Sequence, residues 1–192
     1  GRRARICTDE RLGADPVLGE LVGELKAAGL EVQVYDRTAP EVPLEAIAEC
    51  LEIGRAFGPD LVIGLGGGSC LDMAKVTALL LAHGGAPADY YGEFKVPGPV
   101  LPLIAIPTTA GTGSEVTPVA VIADSGRALK VGIASPHLIP LIALCDPELT
   151  CSCPPGLTAV AGADALTHAI EAVTAAPREA TPGLSLEHVF LG

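Results

Sequence analysis

The chain has 192 residues and a formal net charge of −11, with 49% hydrophobic residues but only 3% aromatic ones and no Trp. That length holds one domain, or one domain and part of a second, and a core built from Val, Leu, Ile and Ala suits parallel strands buried under Ala-rich helices. The negative charge excludes nucleic acid and anionic membrane as expected partners, and the longest charge-free stretch, residues 96–114, is broken by four prolines and three glycines, unlike a membrane span.

In chain order, residues 4–8 read as a strand, 15–28 as a helix stopped by Gly29, and 31–35 as a second strand. A polar, Pro-containing turn over 37–43 leads to a helix over 44–57, a third strand over 60–65 and a third helix from about Ser69 to His83. This β-α-β-α-β-α order implies a parallel sheet with right-handed crossovers. A fourth strand is expected over 101–106, a strand pair over 116–123 and 129–133 about a turn at 124–126, and a further strand over 141–144. From Pro154 the chain turns Ala-rich with helical spacing, so a domain boundary falls near Thr150, dividing 1–150 from 151–192. The forty or so residues after it are too few for a core of their own.

No basic-plus-apolar leader opens the chain, and a cytoplasmic setting is expected. Six cysteines, at 7, 50, 70, 145, 151 and 153, lack the paired C-x-x-C spacing of a structural zinc site and read as free thiols. Cys70 lies at an expected helix N-terminus, which lowers a thiol pKa, so its oxidation is expected to disturb whatever binds there.

Three clusters carry chemistry. The first is GLGGGSCLDMAK (64–75), an apolar strand breaking into glycines and then a helix. Bare backbone N–H groups and the positive end of the helix make a phosphate cradle. The G-x-G-x-x-S pattern falls short of the dinucleotide fingerprint, and it follows the third strand rather than the first. The second is PTTAGTGSE (107–115), hydroxyls and glycines at the carboxyl end of a buried strand, the edge where open α/β sheets bind ligands. A plain polar loop is the alternative. The third is GADALTHAIEA (162–172), in which Asp164 and His168 share one helix face and could hold a divalent metal, or simply hydrogen-bond to each other.

Taken in order, the three segments resemble the iron-containing alcohol dehydrogenases, over about residues 1–175. The resemblance implies a Rossmann-like, dinucleotide-binding α/β domain of the dehydroquinate synthase-like kind, followed by the start of an all-helical metal-binding domain. It implies oxidation of alcohols, or reduction of aldehydes and ketones, with NAD or NADP and with iron(II) or zinc. Carried over residue by residue, Gly66, Gly67, Gly68 and Ser69 would wrap the pyrophosphate and Asp72 would stand on the nicotinamide side. Thr108, Thr109 and Thr112 would line the adenine and ribose region, with Lys130 reaching a ribose hydroxyl. Asp9 would meet the adenosine ribose, favouring NAD over NADP because a carboxylate repels a 2′-phosphate; a simple turn residue is the alternative. Asp164 and His168 would be the first two metal ligands.

The family's two further histidines have no counterpart: His188 lies in an unlike context, and His83 and His137 lie outside the helical segment. The chain is about half of what the resemblance implies and opens on Gly1, so a piece of a longer protein is expected. The main expectation is thus an NAD- and iron-dependent alcohol dehydrogenase acting on a small alcohol or aldehyde. Against it stand a non-catalytic nucleotide-binding remnant and a relative of the glycerol dehydrogenase or maleylacetate reductase kind. The Ala-rich helices leave a homo-oligomer open.

Overall fold

The computed structural model describes residues 1–127 and 130–175. Five parallel strands form the main sheet in the order β2-β1-β3-β5-β8: β1 is Arg3–Cys7, β2 Glu31–Tyr35, β3 Leu61–Gly66, β5 Leu103–Pro107 and β8 Ile142–Ala143. The chain runs from β1 outward to β2 and then returns to the other side of β1 as β3. The winding therefore reverses between β1 and β3, which opens a crevice beyond their carboxyl ends.

The helices are α1 (Glu10–Gly13), α2 (Pro16–Ala27), α3 (Leu44–Phe57), α4 (Gly68–His83) and α5 (Pro155–Thr174). Helix α2 starts where Asp15 accepts a hydrogen bond from the Val17 N–H at 3.0 Å and Pro16 occupies the first turn. It covers one face of the sheet, packing on Ala4, Ile6, Ile63, Leu65 and Ile106. Helix α4 covers the other, and residues Cys70, Leu71 and 73–80 along it are all buried. Such a helix is apolar almost all round because it is covered on more than one side: by β3, by α3 and by a small second sheet.

That second sheet has the order β4-β7-β6, with β4 at Gly92–Glu93, β6 at Val119–Ile122 and β7 at Val131–Ala134. Strands β6 and β7 are antiparallel, as the expected pair about residues 124–126 requires; residue 129 lies outside the described residues. Strand β4 and α1 carry too few residues for a periodic signal, and both escape the sequence reading.

Helix α4 lies close on β3 because Gly64 has no side chain: a Cβ there would meet the Cβ of Ala74 at 3.0 Å and the Cα of Leu71 at 3.2 Å. Two polar groups on α4 hold the second sheet. Lys75 Nζ donates to the carbonyls of Thr117 and Val119, both at 2.8 Å, and Asp72 accepts from the Val121 N–H at 3.0 Å. No helix among the described residues is long and apolar enough to cross a membrane.

Candidate functional site

The carboxyl ends of β1, β2, β3 and β5 converge on a cavity of about 790 Å³. Asp9 follows β1, Thr38 follows β2, Gly67, Gly68 and Ser69 follow β3, and Thr108 and Thr109 follow β5. Thr112, Lys130 and, from α5, Leu157, Val160, Ala161 and Asp164 also line it, as do Arg11 and Arg37 near Asp9 and Thr38.

The floor is the first turn of α4. Its N-cap is Gly67, and no side chain caps the turn, so its N–H groups and dipole face the cavity. Gly66 stands one residue back, at φ +145°, where an added Cβ would lie 2.5 Å from the Cys70 sulfur. A Cβ on Gly68 would lie 2.7 Å from Thr112 Cγ2. Backbone can therefore approach an anion here only because both residues are glycine. The buried hydroxyls of Thr38 and Thr108 have no partner among the described residues, although both residues line the cavity. An unpaired buried hydroxyl is costly, and each is available to a polar ligand. Glycine backbone, an open helix end and unpaired hydroxyls fit a dinucleotide.

Asp9 does two things. It caps α1, with Oδ1 accepting from the Leu12 N–H at 2.8 Å, and it lines the cavity, with Oδ2 accepting from the Cys70 thiol at 3.7 Å. Both oxygens keep spare lone pairs, so the turn role and a ribose contact are compatible. For Cys70 the expectation of a lowered pKa is overturned. The side chain is buried, and desolvation, then the charge and hydrogen bond of Asp9, push the thiol well up. The helix end alone does not outweigh them, so burial and Asp9 favour the protonated thiol at Cys70.

A neighbouring cavity of about 610 Å³ shares Gly68, Ser69, Thr112, Lys130 and Asp164 with the first and adds Asp72, Ser114 and His168. Asp72 accepts from Ser114 Oγ at 2.7 Å as well as from the Val121 N–H. Burial raises its pKa, and these two hydrogen bonds and the charge of Lys75 work against that rise. Lys130 closes the mouth from the side, ion-paired to Glu41 at 2.9 Å, both being exposed. Glu41 also donates its N–H to Ser69 Oγ at 3.3 Å, tying the 37–43 turn to the glycine loop.

Asp164 and His168 lie on one face of α5, His168 Nδ1 being 3.9 Å from Asp164 Oδ2, each about half exposed. Loop 107–115 seats this helix: a Cβ on Gly111 would touch the Ala161 carbonyl oxygen at 2.6 Å. Among the described residues no group of three His, Cys, Asp or Glu side chains converges, so the pair supplies two donors and no third. His188 and residues 176–192 lie outside the described residues. All the residues singled out in the three motifs therefore line one double cleft, except Gly66 behind its floor. Thr38, Glu41 and Ser114 join them without having been singled out. Their only signal was position, in the turn after β2 and at the end of the second motif.

Fold and cleft together define an open, Rossmann-like α/β unit with a glycine-floored cleft at its switch point, followed by the start of a helical segment. Residues 1–147 match the family described as iron-containing alcohol dehydrogenase, and the chain belongs to that family. It is similar to a sulfoacetaldehyde reductase of Bilophila wadsworthia, 41% identical over 89% of this chain and 44% of that protein. An NAD-dependent methanol dehydrogenase of Bacillus methanolicus is 40% identical over 94% of this chain and 47% of its own length. The crystal structure of an iron-containing alcohol dehydrogenase from Thermotoga maritima superposes with a TM-score of 0.84 at 35% identity, covering 95% of this chain and 50% of that one. The chain thus spans about half the length of the relatives it matches.

Proposed function

We propose that this chain is the cofactor-binding half of an alcohol dehydrogenase, an oxidoreductase that passes hydride between a small alcohol or aldehyde and NAD with the help of iron, in the cytoplasm. The observation that carries the reading is the uncapped start of α4, facing a dinucleotide-sized cavity where the sheet's winding reverses.

In this reading the N–H groups of Gly67, Gly68 and Ser69 bind the pyrophosphate. Thr108 and Thr38 give their unpaired hydroxyls to the sugar and amide groups, and Thr109 and Thr112 bound the slot. Asp9 accepts from a ribose 2′-hydroxyl and would repel a 2′-phosphate, which supports NAD over NADP. Lys130 exchanges its exposed partner Glu41 for a ribose hydroxyl. Asp72, fixed by Ser114 and Val121, forms a rigid wall where the second cavity meets α5. Asp164 and His168 present an oxygen and a nitrogen donor to that wall, a pair that suits iron(II) or zinc. A bound metal supplies Lewis acidity that makes an alcohol hydroxyl easier to ionise. The chain's own part is to align the reacting carbon and the cofactor.

Titration of NADH against the chain, followed by nicotinamide fluorescence, tests the first half of this reading. Saturable micromolar binding is expected, weakened at least about tenfold in Gly68→Val, whose branched side chain would collide with Thr112. No saturable binding would overturn it. A nucleotide-binding protein without chemistry is the second reading, favoured by the two-donor set on α5. Alcohol oxidation and retained metal in the complete gene product would remove it.

A further inference from the structure

Behind the cofactor cavity, on the α3 and α4 side of β1, lies a polar cluster that none of the cofactor contacts uses. Arg5 is fully buried, yet no carboxylate among the described residues pairs with it. One of its terminal nitrogens, Nη2, donates to the Cys50 carbonyl at 2.9 Å and to the Cys50 sulfur at 3.3 Å, and the other donates to the Gln33 side chain. Its Nε has no partner among the described residues. A buried guanidinium without an anion is among the costliest arrangements a core can hold.

The sulfurs of Cys7 and Cys50 lie 4.0 Å apart, and the hydroxyl of Thr77 is 3.4 Å from Cys50 and 4.0 Å from Cys7. From β2 the Tyr35 ring lies 5.6 Å from the guanidinium, its hydroxyl donating to Glu49 on α3. Glu49 is itself engaged by Arg37. Among the described residues, the group placed to balance Arg5 is therefore the Cys50 sulfur. A hydrogen bond from Cys7 lowers the Cys50 thiol against the opposing effect of burial, the charge of Arg5 lowers it further, and Cys7 is held as the protonated partner.

We propose that Cys7 and Cys50 form an oxidative modification site: Cys50 stands as a thiolate against Arg5, and a peroxide closes the pair into a disulfide. The thiolate attacks one peroxide oxygen, the O–O bond breaks, and hydroxide leaves a sulfenic acid on Cys50. The Cys7 sulfur then attacks Cys50 sulfur, its proton leaves with the departing hydroxide as water, and the S–S bond forms. Both sulfurs are fully buried, so a peroxide reaches them only as the packing around them opens transiently, a route that admits a small oxidant far more readily than a bulky reagent. The bond would tie α3 to the end of β1, two residues before Asp9.

The test blocks accessible thiols of the native chain with a maleimide, adds hydrogen peroxide, and maps the peptides by mass spectrometry. A linked Cys7–Cys50 peptide is expected, formed at least about tenfold more slowly in Arg5→Met, with Arg5→Lys in between. No linked peptide, a link appearing only in urea, or Arg5→Met closing at the wild-type rate would each overturn the proposal. Should Arg5→Met not fold, Cys50→Ser decides by the Raman S–H band at pH 8. An unchanged intensity supports the thiolate, and the loss of one of six thiol signals overturns it.

Discussion

Two helices that line the same cleft are built in opposite ways. Helix α4 is sunk between two sheets, and Leu71, Met73, Val76, Leu79 and Leu80 along it are buried. Helix α5 contains no buried residue, though Leu157, Val160, Leu166, Ile170 and Val173 are all apolar and exposed. The difference is that α4 is held wherever the sheet folds, while α5 rests on little more than the 107–115 loop. The glycine-loop side of the cleft is therefore fixed by the packed core, and the α5 side depends on what else packs against that helix.

The largest effect that would break this comparison is expected in the core of α4. Leu79→Ala should cost about 2–5 kcal/mol in urea unfolding, the range for an uncompensated buried leucine. A loss below about 1 kcal/mol would mean that α4 is not the packed centre of the fold.

Lys75 comes next, because it fastens α4 to the second sheet. Lys75→Met strands the carbonyls of Thr117 and Val119 and should cost about 1–3 kcal/mol. The pH dependence has a definite sign. Burial lowers the Lys75 ammonium from 10.5 to about 8 in the folded chain, despite Asp72 and Glu115 nearby. From about pH 8 to 10.5 the unfolded chain holds a proton that the folded chain has released, so this residue makes stability rise with pH across that window. The rise should be absent in Lys75→Met when urea unfolding is repeated from pH 7 to pH 10.

These residues also mark how far the sequence could be read. The glycine loop was legible because its meaning is local: an apolar run, bare backbone and a helix start are adjacent in the chain. The parallel sheet was legible from alternation, and the Asp164–His168 face from a spacing of four. Long-range partners were not. Nothing near Lys75 says that its ammonium serves two carbonyls more than forty residues away. Arg5 sits in a strand whose next two residues are fully buried, and the sequence around it names no anion. Cys70 was misjudged for the same reason, since the helix end is local while Asp9 and the covering side chains come from elsewhere in the fold.

A smaller effect sharpens the contrast within the cleft. Ser114→Ala removes one of the hydrogen bonds that oppose the raised pKa of Asp72, so that carboxyl should titrate still higher. Carbon-13 NMR of Asp72 reads this directly. The fold should tolerate the change, because the Val121 N–H still anchors the other oxygen.

The smallest effect is expected on α5, and it tests the comparison most directly. Val173 is 86% exposed, and His168 lies on the same helix with about half its side chain in solvent. Val173→Ala and His168→Ala should each shift unfolding by no more than about 0.5 kcal/mol in this chain, as surface substitutions do. In a complete protein that packs further structure on α5, the same Val173→Ala becomes a buried truncation of two methyl groups. Its cost should then rise to about 1 kcal/mol or more. Equal small losses in both settings would mean that α5 stands alone, and that its side of the cleft takes its shape from the 107–115 loop.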